Sequence, residues 1–218
     1  AIYHICANMH PDEIAIGQIA IRAAQAAGVT RFVYHSVMHP QTETMPHHWN
    51  KLAVEARLFE SGLPFTILQP AAYMQNIMAS WKAIVEEGHY RVPYSIETRL
   101  GMVDLEDVAT VAARVLTETG HEGAIYELAG SDILSQSETA DVLAKVLQRR
   151  VKAEQIPIDD WTQKAEAAGL SPYAIETLLT MFDYYDNFGF WGNSNVLRFL
   201  LGREPTSFAT FIERVQAS

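Results

Sequence analysis

Short apolar runs of strand length alternate, over the first 130 residues, with helix-length segments that stop at glycine, and this alternation decides the fold class. "AIYHIC" (1–6) reads as a buried strand, "PDEIAIGQIAIRAAQAAG" (11–28) as a helix ended by Gly28, and "RFVYHSV" (31–37) as a second strand. A loop, "MHPQTETMP", leads to a helix over about 47–61 stopped by Gly62. "PFTILQP" (64–70) follows as a third strand with proline at both ends, where a missing donor is tolerated. The pattern continues with a helix over 72–87 ended by Gly88, an extended Tyr- and Pro-rich stretch to Val103, a helix over 104–120 with acidic residues in its first turn, and "AIYELAG" (124–130) as a fourth strand. Strands separated by helices of this length pair in parallel through right-handed crossovers, with helices on both faces. The expected fold class is therefore α/β: a parallel sheet of about four core strands in residues 1–130. Residues 131–218 form a smaller, mainly helical region, with helices near 137–149, 159–168, 171–186, 194–201 and 206–216.

Composition narrows the functional classes. A formal net charge of −10 argues against a broad phosphate-neutralising surface, so nucleic acid is not expected as a partner. No apolar run approaches the roughly 18 residues of a membrane span, and no leader pattern opens the chain, so neither membrane insertion nor secretion is expected. The single cysteine, Cys6, rules out an internal disulfide and fits a reducing compartment; a cytoplasmic location is expected. The chain opens directly on an apolar strand, and either a removed methionine or an upstream segment outside this sequence is expected.

Two further features concern chemistry and contacts. Six of the eight histidines, His4, His10, His35, His39, His47 and His48, fall within the first 48 residues, but none sits in a ligand motif such as His-Glu-x-x-His; no metal is expected. Between Ile14 and Ala27 the strongly polar side chains Gln18, Arg22 and Gln25 form one narrow stripe, so this helix is expected to be buried on more than one side, within the fold or against another subunit. The aromatic stretch "MFDYYDNFGFW" (181–191) reads as core and lid packing or as the apolar wall of a small-molecule pocket.

The stretches "RFVYHSVMHP", "HHWNKLAVEARLFESGLPFTILQPAAYMQNI", "VDLEDVATVAARVL", "GAIYELAGSDILSQSETADVLAKVL" and "LGREPTSFATFIERV" resemble, in order and spacing, the NmrA-like branch of the atypical short-chain dehydrogenase/reductase family. The resemblance implies a Rossmann-type NAD(P)-binding sheet with a C-terminal substrate region to which 71–103 contribute. It also implies either reduction of quinones and other small acceptors or a non-catalytic, dinucleotide-sensing role. By resemblance, His47 takes the place of the tyrosine, and Lys51 that of the lysine, in a Tyr-x-x-x-Lys pair. Ser36 takes the place of a serine near the substrate, Pro70, Ala71, Ala72 and Tyr73 lie on the loop that passes the nicotinamide, and Asn76 is expected either to orient the amide of a bound dinucleotide or to cap local backbone. The i, i+4 spacing puts His47 and Lys51 on one helical face. A histidine beside a cation and near a helix N-terminus is expected to be neutral at pH 7.

Family members open with a strand, a Gly-x-x-Gly-x-x-Gly turn and a helix; none of the twelve glycines here forms that cluster. The turn works by bringing helix N-terminal amides against a pyrophosphate. The sheet is accordingly expected to be a truncated Rossmann-like one, with no cofactor of its own unless the missing section is supplied, in which case NAD(P) binds. The expected function is a non-catalytic small-molecule-binding or regulatory protein taking a small apolar ligand, with an NAD(P)-dependent quinone or carbonyl reductase as the alternative. "AIYHIC" then lies at a sheet edge, and an apolar edge invites pairing, so a homodimer or higher oligomer through this edge and helix 11–27 is expected.

Overall fold

A computed structural model describes residues 1–217. Its centre is a parallel sheet in the order β1 (Ile2–His4), β2 (Phe32–His35), β3 (Phe65–Pro70) and β7 (Ile125–Leu128). Phe32 lies opposite Ile2 on one side and Phe65 on the other, and Leu68 lies opposite Tyr126. All four residues of β2 are buried, as expected of a strand covered on both faces, where a continuous apolar run replaces alternation. Phe32, Tyr34 and Ile67 on one side, and Val33 and Leu68 on the other, are fully enclosed in separate clusters. Each such side chain contributes roughly 1.5–3 kcal/mol on burial.

The crossovers are α1 (Glu13–Ala26), α2 (Pro46–Phe59) and α3 (Leu105–Thr117). Proline opens α2 at a position whose N–H has no helical partner in any case, and the Asp104 carboxylate caps α3 by accepting from the Glu106 amide at 3.2 Å. α1 and α2 pack closely at one point. A methyl group at Gly17 on α1 would stand 2.6 and 2.7 Å from the two methyl groups of Val54 on α2. The absence of a side chain at Gly17 therefore sets the separation of the two helices.

Several elements depart from the sequence expectation. The helix expected over 72–87 is instead a two-residue strand, β4 (Ala72–Tyr73), a 3-10 turn (Met74–Ser80) and a π turn (Ala83–Glu87). Met74, Ile77 and Ile84 do share a buried side, so the apolar spacing marked the buried face without fixing the hydrogen-bond pitch. Pairing of Ala72 and Tyr73 with Met102 and Val103 holds the start of the segment extended. The extended stretch to Val103 divides into β5 (His89–Val92) and β6 (Arg99–Val103), which join different sheets. A strand absent from the sequence reading, β8 (Ile133–Ser135), runs antiparallel to β6, and "VKAEQIP" supplies β9 (Lys152–Gln155), parallel to β5. Only residues 2–4 of "AIYHIC" are strand.

The C-terminal part is mainly helical: α4 (Gln136–Val146), closed by a reciprocal Ser135–Glu138 capping box, then α5 (Ile158–Ala167), α6 (Pro172–Phe188), α7 (Asn195–Leu201) and α8 (Phe208–Ala217). No described helix is long and apolar enough to cross a membrane. Among the described residues β1 has a strand on one side only. α1 buries Glu13, Gly17, Ile21 and Ala24 and leaves Ile19 exposed, so within this chain it is covered on one side rather than on several.

Gly17→Ala is expected to destabilise the protein by about 1–3 kcal/mol through overpacking against Val54. Adding Val54→Ala should recover part of that loss in a urea-denaturation double-mutant cycle, because the two substitutions share one contact.

Candidate functional site

In a parallel sheet with right-handed crossovers the C-terminal ends of the strands and the N-termini of the following helices lie at one end of the fold, where ligands bind. Here that end carries His4 from β1, His35 from β2 and Pro70 from β3, with Glu13 in the first turn of α1 and His47, His48 and Lys51 in the first turns of α2. The close approach at Gly17 brings the two helices' polar groups together. Lys51 Nζ donates to Glu13 Oε1 at 2.5 Å, with the Glu13 side chain 2% and the Lys51 side chain 14% exposed. The Tyr34 hydroxyl donates to the same carboxylate oxygen at 3.3 Å, and Lys51 Nζ lies 5.9 Å from the Tyr34 ring centre.

The histidines around this ion pair are held neutral. Burial, reinforced by His48 and Lys51, pushes His47 down to about 3; burial is also the main cause that takes His48 down to about 4. The sequence expectation of a neutral His47 thus stands with a different leading cause. The neighbouring cation contributes, but enclosure dominates, with His47 and His48 both buried. Their rings meet edge to face at 4.4 Å, and Phe190, far along the chain, packs on His48 at 5.5 Å. His48 Nδ1 is 3.1 Å from the His39 carbonyl oxygen, which can only accept, so Nδ1 carries the His48 proton. His47 Nδ1 is buried with no hydrogen-bond partner among the described residues.

The other expected residues divide. The Ser36 hydroxyl donates to Glu55 on α2, and Gln69 Nε2 donates to both oxygens of that carboxylate at 2.9 and 3.0 Å. Burial raises Glu55 although these donors and Lys51 oppose the shift. Ser36 therefore belongs to a buried brace between β2, β3 and α2. The Pro70 carbonyl accepts from the Met38 amide at 2.9 Å, and Asn76 is exposed on the 3-10 turn. Tyr73, half-buried, joins a chain of contacts the sequence reading did not assemble: Tyr3 Oη to His35 Nδ1, and His35 Nε2 to Tyr73 Oη at 2.6 Å. Burial, with help from Lys51, lowers His35 to about 4; it raises Tyr73 to about 12 and Tyr3 further. Parallel register was the missing signal: Tyr3 lies opposite Val33, two residues before His35, and therefore on the same face of the sheet.

The clustered histidines do not converge on a metal. Among the described residues no group of three or more His, Cys, Asp or Glu side chains is placed to hold one. A cavity of about 520 Å³ lies apart from the strand ends, lined by Pro93, Ile156, Pro157, Leu179, Phe182 and Asp186 among others.

The sequence matches the NmrA-like family over residues 2–213. The chain belongs to this family. It is 29% identical over 196 residues to Quinone oxidoreductase 2 of Escherichia coli, covering 89% of this chain and 68% of that protein. It is 28% identical over 206 residues to the NAD(P)H azoreductase of Xenophilus azovorans, covering 92% and 70%. The crystal structure of the Escherichia coli NADPH-dependent quinone oxidoreductase complexed with NADPH aligns over 98% of this chain and 75% of that one, at 26% identity and a TM-score of 0.85. The family's parallel sheet and helical C-terminal part are both present in this NmrA-like chain. The expectation that no cofactor belongs with it finds no support in relatives named for NADPH or NAD(P)H.

The residues of this NmrA-like site can be tested against one end of such a cofactor. The unpartnered His47 Nδ1 and the Lys51 ammonium lie on one face of α2, a set that ribose hydroxyls would satisfy. No Gly-rich strand-to-helix turn for a pyrophosphate occurs in the 218 residues.

Two outcomes follow. Lys51→Met strands the buried Glu13 carboxylate and should cost about 3–5 kcal/mol, whereas Lys51→Met with Glu13→Gln should recover most of it in chemical denaturation. For the acid limb, His35, His47 and His48 have folded pKa values depressed below an unfolded value of about 6.5, so unfolding takes up protons below that pH. Stability should be complete above about pH 6.5 and fall towards about pH 4, on the order of 1 kcal/mol per pH unit for each histidine. Urea midpoints across this range should show a shallower fall for His47→Asn.

Proposed function

We propose that the protein is an NAD(P)-dependent reductase acting on a small quinone-like or carbonyl acceptor at the strand ends of its parallel sheet. The observation that carries this reading is the placement of Lys51, the unpartnered His47 Nδ1 and Tyr73 at the C-terminal end of a sheet that superposes, over 98% of this chain, on a quinone oxidoreductase complexed with NADPH. When bound, the dinucleotide supplies a hydride. Lys51 and His47 bind and orient the ribose, Pro70 to Tyr73 pass beside the nicotinamide, and buried His35, His47 and His48 keep that end of the site free of competing positive charge. Phe190 and the aromatic residues of α6 exclude water.

The outer edge of β1 and the outer face of α1, with Ile5 and Ile19 at 57% and 59% exposure, form the surface on which a second copy of this chain docks. A purely monomeric species at micromolar concentration in analytical ultracentrifugation would overturn the docking.

Titration of NADPH and NADH followed by nucleotide fluorescence tests the reductase reading. The expected outcome is saturable binding, weakened about tenfold by the fold-preserving pair Lys51→Met with Glu13→Gln, as loss of one charge-assisted hydrogen bond implies. Quinone-dependent oxidation of the bound nucleotide should accompany it. No saturable change with either nucleotide and no quinone-dependent oxidation would overturn the reading.

A further inference from the structure

The reductase reading leaves one chemical requirement unmet. Reduction of a quinone or a carbonyl needs a proton as well as a hydride, and His47, where the tyrosine of the Tyr-x-x-x-Lys pair would stand, is a neutral imidazole with a poor capacity to release one. The contacts at the ends of β1, β2 and β4 offer another source. The hydroxyl of Tyr3 meets His35 Nδ1, and His35 Nε2 lies 2.6 Å from the hydroxyl of Tyr73, so two half-buried phenols are joined through one buried imidazole. The rings meet edge to face at centroid distances of 5.7 and 6.2 Å, each keeping its edge on the next.

We propose that Tyr73 is the proton donor of the reaction and that His35 and Tyr3 refill it through this chain of hydrogen bonds. The inference rests on the reductase reading of the same site. A neutral imidazole donates through one nitrogen and accepts through the other. With the proton on Nε2, Tyr3 donates to Nδ1 and Nε2–H donates to the Tyr73 oxygen, which leaves the Tyr73 O–H free to point at a substrate. In the reverse tautomer Tyr73 would spend its proton on the imidazole and could not act.

The balance closes. Hydride from the reduced nicotinamide adds two electrons and one hydrogen to the acceptor, leaving a negative charge on its oxygen. The Tyr73 O–H bond breaks and its proton passes to that oxygen; the Nε2 proton passes to Tyr73; the Tyr3 proton passes to Nδ1. His35 is then the other neutral tautomer, and the Tyr3 phenolate takes a proton from water at the sheet edge. Once product leaves, water at the open acceptor site gives a proton to Tyr73 as Tyr73 passes its own to Nε2 and Nδ1 passes its own back through Tyr3 to water, which restores the Nε2–H tautomer. Burial makes a lone Tyr73 phenolate costly, and the N–H of His35 stabilises the charge as it develops, so the three groups act together. Tyr73 is a catalytic residue by this account; His35 and Tyr3 are positioning and relay residues.

Two measurements test the relay. The first needs no cofactor: nitrogen NMR of histidine-labelled protein should show His35 as the Nε2–H tautomer, with its Nδ1 signal moved by Tyr3→Phe and its Nε2 signal moved by Tyr73→Phe. An Nδ1–H tautomer, or signals that respond to neither substitution, overturns the relay. The second compares acceptors. A quinone requires a proton on oxygen, whereas a cationic triphenylmethane dye is neutralised by hydride alone. Tyr73→Phe should lower kcat for the quinone about a hundredfold more than it lowers kcat for the dye, the usual scale for one general acid. Tyr3→Phe and His35→Gln should give smaller losses, again greater for the quinone than for the dye. Equal quinone rates in wild type and Tyr73→Phe overturn the relay while leaving the reductase reading intact; failure of the wild type to reduce either acceptor overturns the reductase reading itself.

Discussion

The contact between Lys51 and Glu13 is the constraint on which the rest of the site depends. It joins the first turns of two helices across the ends of the strands, with almost no water available to either charge. Withdrawing both groups from water costs several kcal/mol, and their attraction offsets it only because the distance is short and the Tyr34 hydroxyl also reaches the carboxylate. The pair therefore adds little net stability. It fixes the position of α2 relative to α1, and through α2 the positions of His47 and His48. The empty space at Gly17 is its geometric precondition, since a wider helix separation would pull the charges apart.

The same low-dielectric surroundings explain the protonation pattern. A single compensated cation sits among four histidines, and it opposes a charge on each of them. Desolvation acts in the same direction. The site thus consists of neutral imidazoles and phenols around one neutralised pair, which suits the binding of an uncharged ring more than that of a free anion.

How much of this was legible in the sequence depends on the range of the interactions. The parallel sheet was legible because strands buried on both faces leave continuous apolar runs, and the crossover helices because their glycine stops are local. β4 and β8, two and three residues long, carry too little periodicity to be seen, and their existence depends on pairing with β6. His47 and Lys51 could be placed on one helical face from spacing alone. The burial of His48 could not, because Phe190 supplies it from 142 positions away. Glu13 as the partner of Lys51, Glu55 as the partner of Ser36, and the chain from Tyr3 through His35 to Tyr73 all depend on register and helix packing, which no local pattern records.

The passage from β3 to β4 has a mechanical consequence. Only Ala71 separates the strand that ends at Pro70 in the parallel sheet from the one that begins at Ala72 beside β6, and the Ala71 amide itself donates to the Leu128 carbonyl at 3.1 Å. Tyr73, paired with Val103 in one sheet, thus stands three residues from Pro70 in the other, with no loop to absorb a shift. By contrast, Phe188 and Trp191 in the aromatic segment that ends α6 and follows it are 70% and 51% exposed. Tyr73 therefore forms part of a stiff floor, so that under the proposed reductase reading its hydroxyl holds its place from one acceptor to the next.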